Sequence, residues 1–314
     1  MFVVGVDLGG TNYAVGLVDE AGTIIRKIEG KTEVDYGAAR VIENLSNSVL
    51  RISQNFNVEA VGIASPGSID HEKGVVRFSP NFPGWHDIPL AEEISRQVGK
   101  RVYVENDANA YALGERQFGA GKGCQHLVCL TLGTGIGGGV ITHGKLLRGS
   151  TGIGAELGHM TIHPDGPLCG CGARGCLESL ASGTAIRKFV CEGYRRHGES
   201  VLFVSKPPED VTVKDVFDAA KKGDRFANEI FERVVNALSV GIGSILNIFN
   251  PEIVVLGGGI AQAGNFLLDP VRERVRNHVL PSILDTYRIT KSELNKEAGI
   301  LGAASIVFER IHEK

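Results

Sequence analysis

The stretch Val3-Val4-Gly5-Val6-Asp7-Leu8-Gly9-Gly10-Thr11-Asn12 decides how the whole chain is read. Apolar, mostly β-branched residues lead into an acid and then into glycine, threonine and asparagine, so a buried strand ends in a tight turn. Phe2 to Val6 and Ala14 to Val18 read as strands around that turn, and Thr23 to Ile28 as a third after Gly22. The pattern returns at Leu127-Val128-Cys129-Leu130-Thr131-Leu132-Gly133-Thr134-Gly135, with Gly144 and Leu146-Leu147 following. One strand–turn–strand unit at the head of each half suggests an internal duplication.

Around these two units strands and helices alternate, which makes the chain α/β. Asp35 is expected to cap a helix whose apolar stripe is Val41, Leu45, Val49 and Ile52. Ala60 to Ala64 reads as a buried strand, Leu90 to Val98 as a helix closed by Gly99, and Val102 to Val104 as a strand. Asp107 opens a helix reaching Phe118, and Gly119–Gly123 reads as a linker. A long helix runs from Asp224 towards Phe249, where Asn250-Pro251 stops it. Ile253 to Leu256 is a strand before Gly257-Gly258-Gly259, and the last helix is Gly302 to Ile311.

At 314 residues the chain is long for a single core, so two domains are expected. Its 43% apolar and 22% charged residues are ordinary for a globular protein. A net charge of −3 supplies no basic field for nucleic acid or a membrane surface. The opening MFVVGVDLGG has no basic leader and breaks into glycines, so neither a signal peptide nor a membrane span is expected. The 42 glycines are unusual in number, and they cluster.

A turn of Gly, Thr and Asn directs several backbone N–H groups to one point, which suits an anion; two such turns suit the two ends of a triphosphate. Asp7, just before the first turn, is a candidate magnesium ligand through water, or a buttress of the hairpin. Gly133-x-Gly135-x-x-Gly138 matches a dinucleotide fingerprint by letter, but Val140-Ile141-Thr142 continue as strand where a helix should begin. Gly119-Ala120-Gly121-Lys122 lacks the Ser or Thr that a P-loop needs, since Gly123 stands there. Three thiols fall in Cys169-Gly170-Cys171-Gly172-Ala173-Arg174-Gly175-Cys176, and His159 lies upstream. Three Cys and one His make a closed, structural zinc set, and a disulfide between such near neighbours is the competing reading. Cys129, in an apolar strand, reads as packing.

Taken together, Asp7-Leu8-Gly9-Gly10-Thr11-Asn12, Glu105-Asn106-Asp107-Ala108-Asn109-Ala110, Leu132 to Gly139, Glu156-Leu157-Gly158-His159 and Cys169-x-Cys171-x-x-x-x-Cys176-x-Glu178 resemble the ROK family of repressors, open reading frames and sugar kinases. The resemblance runs nearly end to end and is greatest to the family's bacterial glucokinases. It implies an actin-like ATPase fold: two ribonuclease-H-like domains with ATP and sugar in the cleft between them. Residues 1–118 with the helix 300–314 would form the smaller domain, and 119–299 the larger. The last helix would cross back to the first domain. The implied activity is ATP-dependent phosphorylation of the glucose 6-hydroxyl to glucose 6-phosphate, with magnesium and a structural zinc. The implied setting is a cytoplasmic homodimer with no nucleic-acid or membrane partner. Alternatives are a kinase for N-acetylglucosamine, N-acetylmannosamine, fructose or allose, or a sugar-sensing regulator. Regulators of the family carry an N-terminal helix-turn-helix segment, for which a first strand at Phe2 leaves no room.

The resemblance also assigns roles. Asp107 would be the general base on the sugar hydroxyl, although an acid opening a helix is also an ordinary cap. Asn81, in Ser79-Pro80-Asn81-Phe82-Pro83-Gly84-Trp85, would contact sugar hydroxyls together with Asn106, Asp107, Glu156, His159 and Glu178. Asp7, Gly9, Gly10, Thr11 and Asn12 would hold the nucleotide with Gly133, Thr134 and Gly135, and Gly257, Gly258 and Gly259 would take adenosine. His159, Cys169, Cys171 and Cys176 would bind the metal, His159 using one ring nitrogen for it and the other for sugar.

Overall fold

The computed structural model describes residues 1–312. The last two residues of the expected segment 300–314 lie outside them. The chain opens with strands β1 (Phe2–Leu8), β2 (Asn12–Asp19) and β3 (Ile24–Lys31), then helix α1 (Ala38–Ile52) and strand β4 (Val58–Ser65). A small sheet of β5 (Ser68–Asp70), β6 (Val75–Phe78) and β7 (His86–Ile88) precedes α2 (Leu90–Val98), β8 (Arg101–Asn106) and α3 (Asp107–Phe118). Strands β9 (Leu127–Leu132), β10 (Ile136–Thr142) and β11 (Lys145–Leu146) follow. Helices α4 (Leu177–Ala181), α5 (Gly183–Gly193), α6 (Val213–Lys221) and α7 (Arg225–Phe249) lead to β12 (Ile253–Gly257). The short α8 (Gly258–Ala261), α9 (Asn265–Val275), β13 (Arg288–Lys291) and α10 (Ala298–His312) complete the chain.

The duplication is visible in the sheets. One has strand order β3-β2-β1-β4-β8, the other β11-β10-β9-β12-β13. In the first, β2 lies antiparallel to both β1 and β3, and β4 runs parallel to β1 and β8. The second repeats the plan, antiparallel at β10–β11 and parallel at β12–β13. By compactness the chain divides into unit one, Met1–Cys129, Gly139–Ala155 and the described part of Ser292–Lys314, and unit two, Leu130–Gly138 and Glu156–Lys291.

Unit one packs both faces of its sheet. Val41, Leu45, Val49 and Ile52 of α1 bury against Val4, Val6, Val15, Leu17, Val61 and Ile63. The helix starts at Ala38 behind Gly37, whose φ of 84° suits only glycine; Asp35, expected as the cap, sits in the preceding turn Val34–Tyr36. On the other face α10 buries Ile300, Leu301, Ala304, Val307 and Phe308 against Val3, Val18 and Ala60. The approach is as close as backbones allow. A Cβ on Gly5 would overlap the Ile300 carbonyl, and one on Gly62 the carbonyl of Ala303. Gly302 likewise brings α10 onto α3 at Ala110 and Gly114.

Unit two is organised by α7. Asp224 caps it by accepting the Ala227 N–H, and Asn250 ends it in the left-handed conformation before Pro251. Its buried residues run from Phe226 to Leu246 on more than one face, as expected of a helix surrounded by others. Gly119–Gly123, expected as a linker, lies inside unit one as successive turns, with Glu115 Oε2 accepting the Ala120 N–H at 2.9 Å.

Because a side chain on residue 62 meets backbone rather than a movable side chain, Gly62→Ala should lower stability by about 1–3 kcal/mol, read from the midpoint of urea unfolding. Gly198→Ala, exposed and unhindered, should stay within about 0.5 kcal/mol of the parent. Equal midpoints for the two variants would refute this account of the α10 contact.

Candidate functional site

Each unit carries a glycine turn with the same hydrogen-bond logic. In unit one Gly9 N–H donates to the Asn12 carbonyl at 3.0 Å. Buried Thr32, just after β3, then fixes two turn carbonyls: its N–H donates to Thr11 O at 3.0 Å and its hydroxyl to Gly9 O at 2.7 Å. In unit two Gly133 N–H donates to Gly135 O at 3.0 Å. Gly183 N–H donates to Gly133 O at 2.8 Å, and the Thr184 N–H and hydroxyl donate to Thr134 O at 3.2 and 2.9 Å. The carbonyls are thus held, while the N–H groups of Gly10, Thr11, Thr134 and Gly135 make no hydrogen bond among the described residues. Backbone donors left together in this way form anion sites. Thr32 and Thr184 were missed in the sequence, where only the glycines signal the turns.

The third glycine run joins β12 to α8. Gly258 has φ 81°, and a Cβ there would overlap the Leu132 backbone, whereas Gly259 faces open space. A strand-to-helix turn and a bare backbone surface therefore coexist at Gly257–Gly259.

Unit one gathers the acids. Asp7 stands on β1 beside an open depression of about 590 Å³ lined by Gly9, Asn12, Tyr13, Glu29 and Lys31. Burial, and then the nearby Asp107 charge, push its pKa up to about 6. A Cβ on Gly299, in the first turn of α10, would overlap its carboxylate. Asp107 is the first residue of α3, but the cap is Asn106, whose Oδ1 accepts the N–H groups of Ala108 at 3.0 Å and Asn109 at 3.2 Å. Asp107 accepts the Ala108 N–H through Oδ1 at 2.9 Å and remains open to solvent. The protein around it still desolvates the carboxylate enough to raise its pKa.

The Asn106 amide also donates through Nδ2 to Gly67 O at 3.1 Å, so it braces the loop after β4 as well as α3. Asn81 is exposed, and its Cβ lies against the space a Gly10 side chain would take. Beneath them, buried Glu105 accepts the Asn106 N–H at 3.0 Å, Asn109 Nδ2 at 3.1 Å and Arg148 Nε at 2.7 Å. Arg148 also donates to Glu309 of α10 at 2.8 Å. No local pattern marks Arg148; its partners come from residues far away in sequence.

In unit two His159, Cys169, Cys171 and Cys176 come together with their donor atoms all within 4.8 Å of one another, a set able to hold a metal ion. Cys169 Sγ is 3.6 Å from His159 Nδ1, and Cys171 Sγ is 3.7 Å from Cys176 Sγ, so no pair is a disulfide. The loop closes by Cys169 N–H to Ala173 O at 2.8 Å and Gly172 N–H to Cys169 O at 3.0 Å. Burial pushes the Cys176 thiol up to about 12, so thiolates gathered here need a cation among them. Glu178, on α4, points one oxygen at Cys169 Sγ at 3.7 Å and accepts the Ile136 N–H with the other at 2.9 Å. Glu156 is exposed and follows Ala155, whose φ of 66° is uncommon without glycine.

The ROK family model matches residues 3–310. Over 310 residues the chain is 54% identical to a glucokinase of Thermotoga maritima, covering 98% of both chains. A ROK hexokinase from Thermus thermophilus superposes with TM-score 0.87 at 35% identity, covering 100% of both chains. A ROK family glucokinase from Streptomyces griseus, solved with glucose and AMPPNP, superposes with TM-score 0.84 at 36% identity, covering 98% of this chain and 99% of that one. With the twice-repeated sheet order, these likenesses establish the actin-like α/β fold. Among the described residues no helix is long and apolar enough to cross a membrane.

A carboxyl whose folded pKa is raised costs stability as pH climbs above its unfolded value, and the cost is complete above the folded one. For Asp7 that window runs from 3.8 to about 6. Asp7→Asn should therefore melt higher than the parent above about pH 6, with the advantage fading towards about pH 4. A melting difference that does not change with pH would show that Asp7 is not desolvated in this way.

Proposed function

We propose, for a chain that belongs to the ROK family, the activity of an ATP-dependent glucokinase, transferring the γ-phosphoryl group of ATP to the 6-hydroxyl of glucose. The observation that carries phosphoryl transfer is the pair of turns whose carbonyls are held and whose amides are left open. Glucose as acceptor follows from the glucokinase relatives. Asp107 accepts the hydroxyl proton as the oxygen attacks phosphorus, which a desolvated carboxylate of raised pKa does better than an ordinary one. Asn81, Asn106, Glu156, His159 and Glu178 hold the other sugar hydroxyls. Gly9, Gly10, Thr11 and Asn12, with Gly133, Thr134 and Gly135, bind the phosphates through backbone N–H groups, and Gly257, Gly258 and Gly259 take the adenosine. Asp7 would hold magnesium through water, and the ion would supply charge neutralisation on the phosphates.

Zinc is the metal the donor set fits. Tetrahedral bonds of about 2.3 Å to sulfur and about 2.0 Å to nitrogen put donors roughly 3.8 Å (S···S) and roughly 3.5 Å (S···N) apart. The loop holds 3.7 and 3.6 Å for one pair of each kind. His159 would offer such an ion Nδ1, the ring nitrogen that faces Cys169 Sγ, which would leave Nε2 for the sugar and fix the tautomer. A cytoplasmic homodimer completes the reading.

ADP release measured with a hexose panel should show glucose as the preferred acceptor, and no ATP consumption with any hexose would reject the kinase reading. Asp107→Asn should retain fold and glucose affinity but lose about 10²-fold or more in turnover. In the parent, turnover should fall as acid protonates Asp107, at a pH above the ordinary carboxylate range. Near-parental turnover in the variant would remove Asp107 as the base. Elemental analysis of protein purified without added metal should find one zinc per chain. Cys171→Ser should lose that zinc and weaken glucose binding, whereas metal-free protein with full activity would exclude the site.

A further inference from the structure

The Glu178 carboxylate spans two parts of unit two that serve different ligands. Its Oε2 accepts the N–H of Ile136, which ends the Gly133-Thr134-Gly135 turn, at 2.9 Å. Its Oε1 lies 3.7 Å from Cys169 Sγ. This depends on glycine at 135, because a Cβ there would overlap Oε2. The backbone of Glu178 is set by the metal loop. Cys176 is two residues before it, and Leu177 N–H donates to Met160 O, beside His159, at 3.0 Å. The turn is therefore held from two sides: its carbonyls by Gly183 and Thr184, and its last amide by Glu178. The second hold is the nearer to the metal loop, two residues from Cys176, whereas the first comes from the start of α5, beyond the end of α4.

We infer that Glu178 is a positioning residue for the second glycine turn, through which metal occupancy of the His159, Cys169, Cys171 and Cys176 site sets nucleotide affinity. The inference rests on the reading of that turn as a phosphate site. Its mechanism is positional. Four ligands on one ion order the loop from Cys169 to Cys176, and this fixes where Glu178 starts. A charged acceptor on the Ile136 N–H then holds a turn whose own glycines supply no stiffness. Without the ion the loop loosens, Ile136 loses its partner, and the Thr134 and Gly135 N–H groups no longer converge.

The test uses AMPPNP with magnesium, in calorimetry without sugar, on the zinc-loaded full chain. Glu178→Ala should weaken AMPPNP about tenfold or more, the usual size for a lost charged hydrogen bond. Glu178→Gln keeps an acceptor oxygen and should stay within about threefold of the parent. Cys171→Ser should match Glu178→Ala, and the double variant should be no weaker than either, since both remove one link. A second arm needs no nucleotide: the Ile136 amide should exchange hydrogen faster in Glu178→Ala and after zinc is chelated from the parent. Parental AMPPNP affinity in Glu178→Ala, or unchanged Ile136 exchange in both cases, overturns the inference. A parent that binds no AMPPNP while the Ile136 amide responds as expected defeats the phosphate reading instead, so the two failures are distinguishable.

Discussion

The contact between α10 and the first sheet fixes the chemistry of unit one. Backbone meets backbone at Gly5 and Gly62, and helix meets helix at Gly302, Ala110 and Gly114. Asp7 is two residues beyond Gly5 on the same strand, and Asp107 begins the helix that Gly302 touches. One helix therefore determines where both acids stand. The same helix reaches Glu105, beneath Asp107, through Glu309 and Arg148. Interiors packed this closely do not deform gradually, so small changes along α10 are felt at the acids.

The two glycine turns show one physical solution reached from different materials. In each, a threonine outside the turn donates with both its N–H and its hydroxyl to turn carbonyls. Thr32 is buried at the end of a sheet strand, while Thr184 stands exposed at the N-terminal end of α5, capped by Ser182. Holding the carbonyls is what leaves amides over for an anion, since a free turn would satisfy some of them internally. Glycine alone gives freedom of conformation; the threonines turn it into a fixed arrangement.

What the letters disclosed was local. Apolar runs bounded by turns located β1, β2, β4 and β9, and cap chemistry placed α2, α3 and α7 closely. The Cys and His spacing located a cluster that the structure brings together. The errors have physical causes. Asp35 looked like a cap because acids often are, but a glycine of positive φ turns the chain into α1 more cheaply. The sheet β5-β6-β7 has strands of three or four residues, too short to show alternation. Arg148 and Thr184 gain their meaning from partners distant in sequence, which no single-sequence pattern encodes.

The raised pKa values of Asp7 and Asp107 tie the fold to its use. Desolvating two acids, and setting the charge of Asp107 near Asp7, makes the native state less stable than neutral side chains there would. A protein that only had to fold would hold neutral amides there. The arrangement makes sense where a cation arrives with the ligand and where one acid must take a proton during the reaction. Among the described residues neither acid forms an ion pair with Lys or Arg, although the Lys27 charge pulls the Asp7 pKa down somewhat, whereas Arg148 neutralises Glu105. Glu105 has only to hold position and is fully partnered. Asp107 has to change protonation state, and it is held by backbone N–H groups, that of Ala108 at 2.9 Å, rather than by a cationic side chain.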